Sequence, residues 1–190
     1  MTQTIDIAQN DTSVRAICPH PHGGTVITMG FPGLETDFRG QAFISADVMD
    51  ATLDHVASAG TKLVVILPQP KELPPKAISL LRRSLDARAL RSIVMPIVDY
   101  SVPGPAFLRA WHRVSPAFAA VFASGGSVGM CCQHGAGRSG LVAAMHLIEA
   151  GLKPIQAVTL LRSQFPESVE NDLQFHWLVD YSQSLQAKVV

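Results

Sequence analysis

Three cysteines in 190 residues, at positions 18, 131 and 132, are too few and too unevenly placed for a disulfide framework. Stability must therefore come from a packed core, which a chain of this length can bury. Charge is equally scarce. Asp, Glu, Lys and Arg make up 16% of the residues, and 15 basic side chains offset 15 acidic ones to a formal net charge of zero. Such a balance argues against a nucleic-acid binder and against a polybasic protein that lies on a membrane surface. A locally positive pocket remains compatible with it. No apolar run approaches the roughly 20 residues needed to cross a bilayer. The polar stretch 1–13 lacks the basic start and apolar centre of a secretion signal, and is expected to be a flexible leader to a single domain over 14–190. A reducing cytoplasm is the expected location, since a reactive thiol survives there. No internal repeat or low-complexity tract is present.

Against that background one run concentrates unusual chemistry: Ser127-Val128-Gly129-Met130-Cys131-Cys132-Gln133-His134-Gly135-Ala136-Gly137-Arg138-Ser139-Gly140. It reads as a short strand, a glycine-rich loop and the start of an apolar helix at Leu141. Glycines at 135 and 137 let the backbone turn tightly, so that successive N–H groups aim at one spot. The following helix points its positive end at the same spot. A cysteine in such a place is expected to favour its thiolate, the nucleophilic form. The planar fork of Arg138 suits two oxygens of a phosphoryl group and keeps its charge.

The rest of the chain alternates strands and helices up to Cys132. Strands are expected at 14–17, 25–29, 62–67 and 92–97, the third a continuous β-branched run suited to burial on both faces. Helices are expected at 45–59, capped by Ser45 or Asp47 and stopped by Gly60, at 76–88, and at 106–124 with a possible bend at Pro116. Helices alone follow, at 141–150, 154–163 and 169–187. This order predicts an α/β fold: a central, mostly parallel sheet flanked by helices on both faces. His20 and His22 form an H-x-H pair in a turn, without companion ligands for a metal, and are expected to be solvated. Arg82, Arg83 and Arg88 are expected on a solvated helix face.

A thiolate that attacks phosphorus needs a proton donor for the leaving oxygen, and the Cys132 loop contains no acid. Asp99 lies just beyond a buried strand, on a Pro/Gly-rich loop at the sheet's carboxyl edge, where ligands of α/β folds bind. An aspartate in a turn is also common on any surface.

From Cys132 to Gly140 every fixed position of C-x-x-G-x-G-R-S-G is met, and the run resembles the signature loop of the cysteine-dependent tyrosine and dual-specificity phosphatases. Pro96 to Pro103 resembles their general-acid loop. Gly33 to Leu73 and Ala157 to Tyr181 look like parts of the kinase-associated phosphatase group and its bacterial relatives. The resemblance implies a dual-specificity-phosphatase-like fold and hydrolysis of phosphomonoesters through a phosphocysteine. In that scheme Cys132 is the nucleophile, Arg138 holds the phosphoryl group, Asp99 is the acid, and Ser139 hydrogen-bonds the departing thiolate. Gln133, His134, Gly135, Ala136 and Gly137 would line the anion, with Gln174 near the pocket; a polar helix residue is the plainer reading of Gln174. Neither a metal nor a cofactor is implied, and the expected partner is a phosphorylated protein or peptide. Three positions depart from the pattern. Cys131 replaces the usual histidine before the nucleophile, and Phe165 replaces a second arginine. Gln133 and Ala136 stand where phosphoinositide-specific members carry lysines. The Cys131 departure leaves open a phosphate-dependent binding module without turnover. Cys131 or Cys18 could also trap an oxidised Cys132 as a disulfide if the fold brought either close.

Overall fold

The computed structural model describes residues 12–187. Most of the expected leader, 1–11, lies outside the described residues. Its last residue is already anchored: the Ser13 N–H donates to Thr52 Oγ1 at 2.9 Å, and its carbonyl accepts from the Gly30 N–H at 2.8 Å.

Five strands form one sheet: β1 (Val14–Pro19), β2 (Thr25–Gly30), β5 (Thr61–Ile66), β6 (Arg91–Val94) and β7 (Ser127–Cys132), in the order β1-β2-β7-β5-β6. β2, β7, β5 and β6 run parallel, and β1 is antiparallel at the edge. Two three-residue strands, β3 (Leu34–Thr36) and β4 (Ala42–Ile44), pair as a separate hairpin. The sequence reading had no element there. Strands this short, with mostly exposed or half-buried residues, carry no alternation to detect.

The sheet sorts its side chains by the two-residue period of a strand. Val26, Leu63, Val65, Val128, Met130 and Cys132 face a core built with α3 (Pro105–Ala123), α4 (Gly137–Glu149), α5 (Pro154–Arg162) and α6 (Asp172–Ala187). Ile27, Met29, Val64, Ile66 and Cys131 face the smaller core under α1 (Ala46–Ser58) and α2 (Ala77–Asp86). The mostly parallel sheet with helices packed on both faces is as expected.

Four local differences have physical causes. Ser45 does cap α1, its Oγ accepting from the Val48 N–H. α4, however, begins at Gly137 rather than Leu141, which places Arg138 in its first turn. Pro116 sits inside an α3 that continues through it. Arg88 is not simply solvated: its guanidinium reaches Asp50 at 2.8 Å and Asp54 at 2.7 Å, tying α2 to α1. His20 is buried, its ring stacked on Phe122 with centroids 3.7 Å apart, while His22 stays exposed. Among the described residues no three metal-ligating side chains come together, and no helix is long and apolar enough to cross a membrane.

Candidate active site

β2 and β7 run side by side until Gly30 pairs with Cys132, and both chains turn off at that edge. The loop after Cys132 is pressed onto the end of β2. At Gly135 φ is +93°, and a Cβ there would meet the Gly30 nitrogen at 2.5 Å and the Met29 carbonyl carbon at 2.7 Å. Only glycine allows that approach. The Phe31 N–H donates to Gln133 O at 3.2 Å, and Arg15 Nε donates to His134 O at 3.1 Å, which fixes the outer side of the loop.

Held this way, the loop wraps the sulfur. The Gly135 N–H donates to Cys132 Sγ at 3.2 Å. The backbone N–H groups of Gln133, His134, Ala136, Gly137 and Arg138 donate to no other described residue. A run of unspent amides around a sulfur, at the head of a thirteen-residue helix, is an anion nest. Cys132 is 3% exposed, beneath the loop rather than outside it.

Arg138 is 1% exposed, and its charge is answered on one side only. Nη1 lies 2.7 Å from Glu72 and donates to Ile97 O at 3.0 Å, and Nη2 lies 3.0 Å from Asp99. Nε has no hydrogen-bond partner. The guanidinium is thus pinned from behind by Glu72 and by the backbone leading into the acid loop. Asp99 is 41% exposed at the side chain, at the surface end of this arrangement.

The other expected residues fall as follows. Ser139 is fully buried, and its hydroxyl donates to Met29 O at 3.3 Å, so it pins α4 to β2 instead of reaching the sulfur. His134 is on the rim, 3.3 Å from Glu167. Gln174 is buried; its Oε1 accepts from the Glu170 N–H at 3.1 Å, while Nε2 has no partner. Cys131 points to the opposite face of the sheet from Cys132, and burial pushes its thiol far up from the ordinary range. Cys18 pairs with Val26 near the other end of β2, about 13 Å along the strand from Gly30 at roughly 3.3 Å per residue. Burial holds its pKa up to about 11. Neither thiol is placed to trap an oxidised Cys132.

Two carboxylates in the site were not singled out from sequence. Glu72 follows β5 in a proline-rich loop, and its location just past a buried strand at the Cys132 edge was the available signal. Glu170 precedes α6, and its carboxylate lies against Gly137, where a Cβ would meet Oε1 at 1.6 Å. Burial, then the negative charge of Asp99, pushes the pKa of Glu170 upward.

The order of the sheet and the helices on its two faces are those of solved tyrosine and dual-specificity phosphatases. Known proteins agree. Over 90 residues the chain is 33% identical to the probable protein tyrosine phosphatase type IVA B of Dictyostelium discoideum, a match that spans 47% of this chain and about half, 55%, of that relative. Among solved structures, a kinase-associated phosphatase with its catalytic cysteine changed to serine superposes with a TM-score of 0.70 at 18% identity, over 90% of this chain and 96% of that one. A putative protein tyrosine phosphatase from Leishmania major gives 0.63 at 17% identity over 89% and 97%, and PTPMT1 in complex with PI(5)P gives 0.64 at 16% over 90% and 97%. No family model matches the chain.

Proposed function

We propose that the protein hydrolyses phosphomonoesters on phosphorylated proteins, at phosphotyrosine, phosphoserine or phosphothreonine, through a phosphocysteine at Cys132. The observation that carries this reading is the set of unspent loop amides around Cys132 Sγ beside the unpartnered Nε of a buried Arg138. In the first step the thiolate sulfur bonds to phosphorus as the bond from phosphorus to the leaving oxygen breaks. Arg138 and the amides of residues 133–138 hold the three equatorial oxygens. A phosphoryl group arriving at Arg138 competes with Asp99 for Nη2; the released carboxylate takes up a proton from solvent and, as the acid, passes it to the leaving oxygen. In the second step a water oxygen attacks phosphorus, its proton passes to Asp99, the S–P bond breaks, and the thiolate is restored. Inorganic phosphate is the product. The expected setting is the cytoplasm, and no step calls for a metal or cofactor.

Wild-type protein should release phosphate from an aryl phosphate, and Cys132→Ser should abolish that release. Full activity in Cys132→Ser would end the proposal. One observation favours a second reading, a phosphate-dependent binding module: Asp99 is ion-paired to Arg138 and so withheld from acid duty. Phosphopeptide binding by a wild type that releases no phosphate would select it. A phosphopeptide panel containing all three residues assigns the preference.

A further inference from the structure

The Ser168–Asn171 segment is tied to both the anion loop and the acid loop. The Val169 N–H donates to Ala136 O at 3.3 Å, and Asn171 Nδ2 donates to Tyr100 O at 3.2 Å in the acid loop. Arg162 holds the carbonyls of Ser168 and Val169 at 2.9 and 2.7 Å, and Gln174 holds the Glu170 N–H. The segment therefore presents the Glu170 side chain at one place. Its carboxylate rests on Gly137, at the positive end of α4, in a gap that exists because residue 137 has no Cβ. Arg138 and His134 attract it, and Asp99 repels it. The buried Gln174 Nε2 faces it without reaching hydrogen-bond geometry. This is a carboxylate held against the same helix start that a phosphoryl group requires, within the field of the same guanidinium.

We propose, on the basis of the phosphatase reading above, that Glu170 is a built-in competitor for oxyanions: an incoming phosphoryl group must push its carboxylate aside. Glu170 thereby sets how weakly phosphorylated ligands and the inorganic phosphate product bind. It penalises most a ligand that carries a second anionic group beside the reacting phosphate. It also favours departure of the phosphate dianion once the phosphocysteine is hydrolysed.

Titration of the protein with tungstate, followed by calorimetry, tests this directly. Glu170→Gln should bind tungstate about tenfold tighter than wild type, the order of effect for removing one charge a few ångströms from another in a half-solvated site. Glu167→Gln is the control. Its carboxylate is exposed and paired with His134, so its removal should change affinity less than twofold. Unchanged or weaker binding by Glu170→Gln overturns the proposal, as does an equal gain in Glu167→Gln, which would show a diffuse effect of rim charge. Should neither wild type nor Glu170→Gln bind tungstate, the anion site falls, and this inference with it. Tungstate binding without aryl phosphate turnover would remove only the hydrolytic reading.

Discussion

A guanidinium with 1% of its surface exposed needs its charge answered, and Arg138 is answered by Glu72 at 2.7 Å and Asp99 at 3.0 Å. The two carboxylates are not equivalent. Glu72 is 13% exposed, so Glu72→Gln leaves a buried positive charge short of its partner, a change that typically costs about 3–5 kcal/mol. The expected result is a clear drop in the urea midpoint together with weaker tungstate binding. A midpoint within error of wild type would show that Glu72 is dispensable. Asp99 is much more solvated, and its pairing should contribute below about 1 kcal/mol. Asp99→Ala should therefore keep the wild-type midpoint while phosphate release from an aryl phosphate falls by about 10²–10⁴. Loss of both together would assign Asp99 a structural role. Cys132 and Arg138 were legible from sequence because five intervening residues and two glycines specify a loop of one shape. Glu72 and Glu170 were not, because each reaches the loop from a distant segment whose approach depends on tertiary packing.

Among the elements, the loop between β7 and α4 tolerates least. Gly135→Ala would force a Cβ to within 2.5 Å of the Gly30 backbone, at a φ that L residues rarely adopt. Strain of this kind costs on the order of 1–3 kcal/mol, and the loop can escape it only by lifting off β2. The variant should lose most of its phosphate release and its tungstate binding. Retention of both would mean that the loop does not need its seat on β2. The strands and helices that carry the loop were legible for a related reason. β5 is apolar from Leu63 to Ile66, and α4 is buried at every residue from Gly137 to Ile148, so burial on both sides is written into composition. What escaped was short or polar. The β3–β4 hairpin has three residues per strand. Sheet bonding beyond β6 continues as single hydrogen bonds from the N–H groups of Met95 and Ile97 to the carbonyls of Ile66 and Leu67. Arg88 looked like a surface cation because its partners lie on a helix more than thirty residues earlier.

Across the whole molecule, the core away from the active site carries a liability to acid. His146 lies among Trp111, Phe118, Phe122 and His20, edge-to-face or steeply tilted to each, with neither ring nitrogen hydrogen-bonded. With no polar partner for either nitrogen, these surroundings tolerate only the neutral ring. Burial holds the pKa of His146 down to about 4, and burial with the charge of its histidine neighbours does the same for His20. The unfolded chain binds these protons from about pH 6.5 downward, while the folded chain refuses them until about pH 4. Stability is therefore complete above pH 6.5 and falls as pH drops towards 4, for His146 by up to about 1.4 kcal/mol per pH unit. Glu149 acts in the opposite sense: burial raises its pKa despite its bonds to Trp111 and Tyr181, so folding gains as it protonates. Urea midpoints at pH 7.5, 6 and 5, for wild type and His146→Phe, separate the two. The variant should show a shallower loss, and parallel curves would contradict the account. The central claim itself rests on one bond between sulfur and phosphorus. Acid-quenching the intact protein during turnover of an aryl phosphate and sequencing the peptide by mass spectrometry locates that bond. The account predicts a phosphoryl group on Cys132 and none on Cys131. Turnover with no phosphorylated cysteine, or with the label elsewhere, would contradict it.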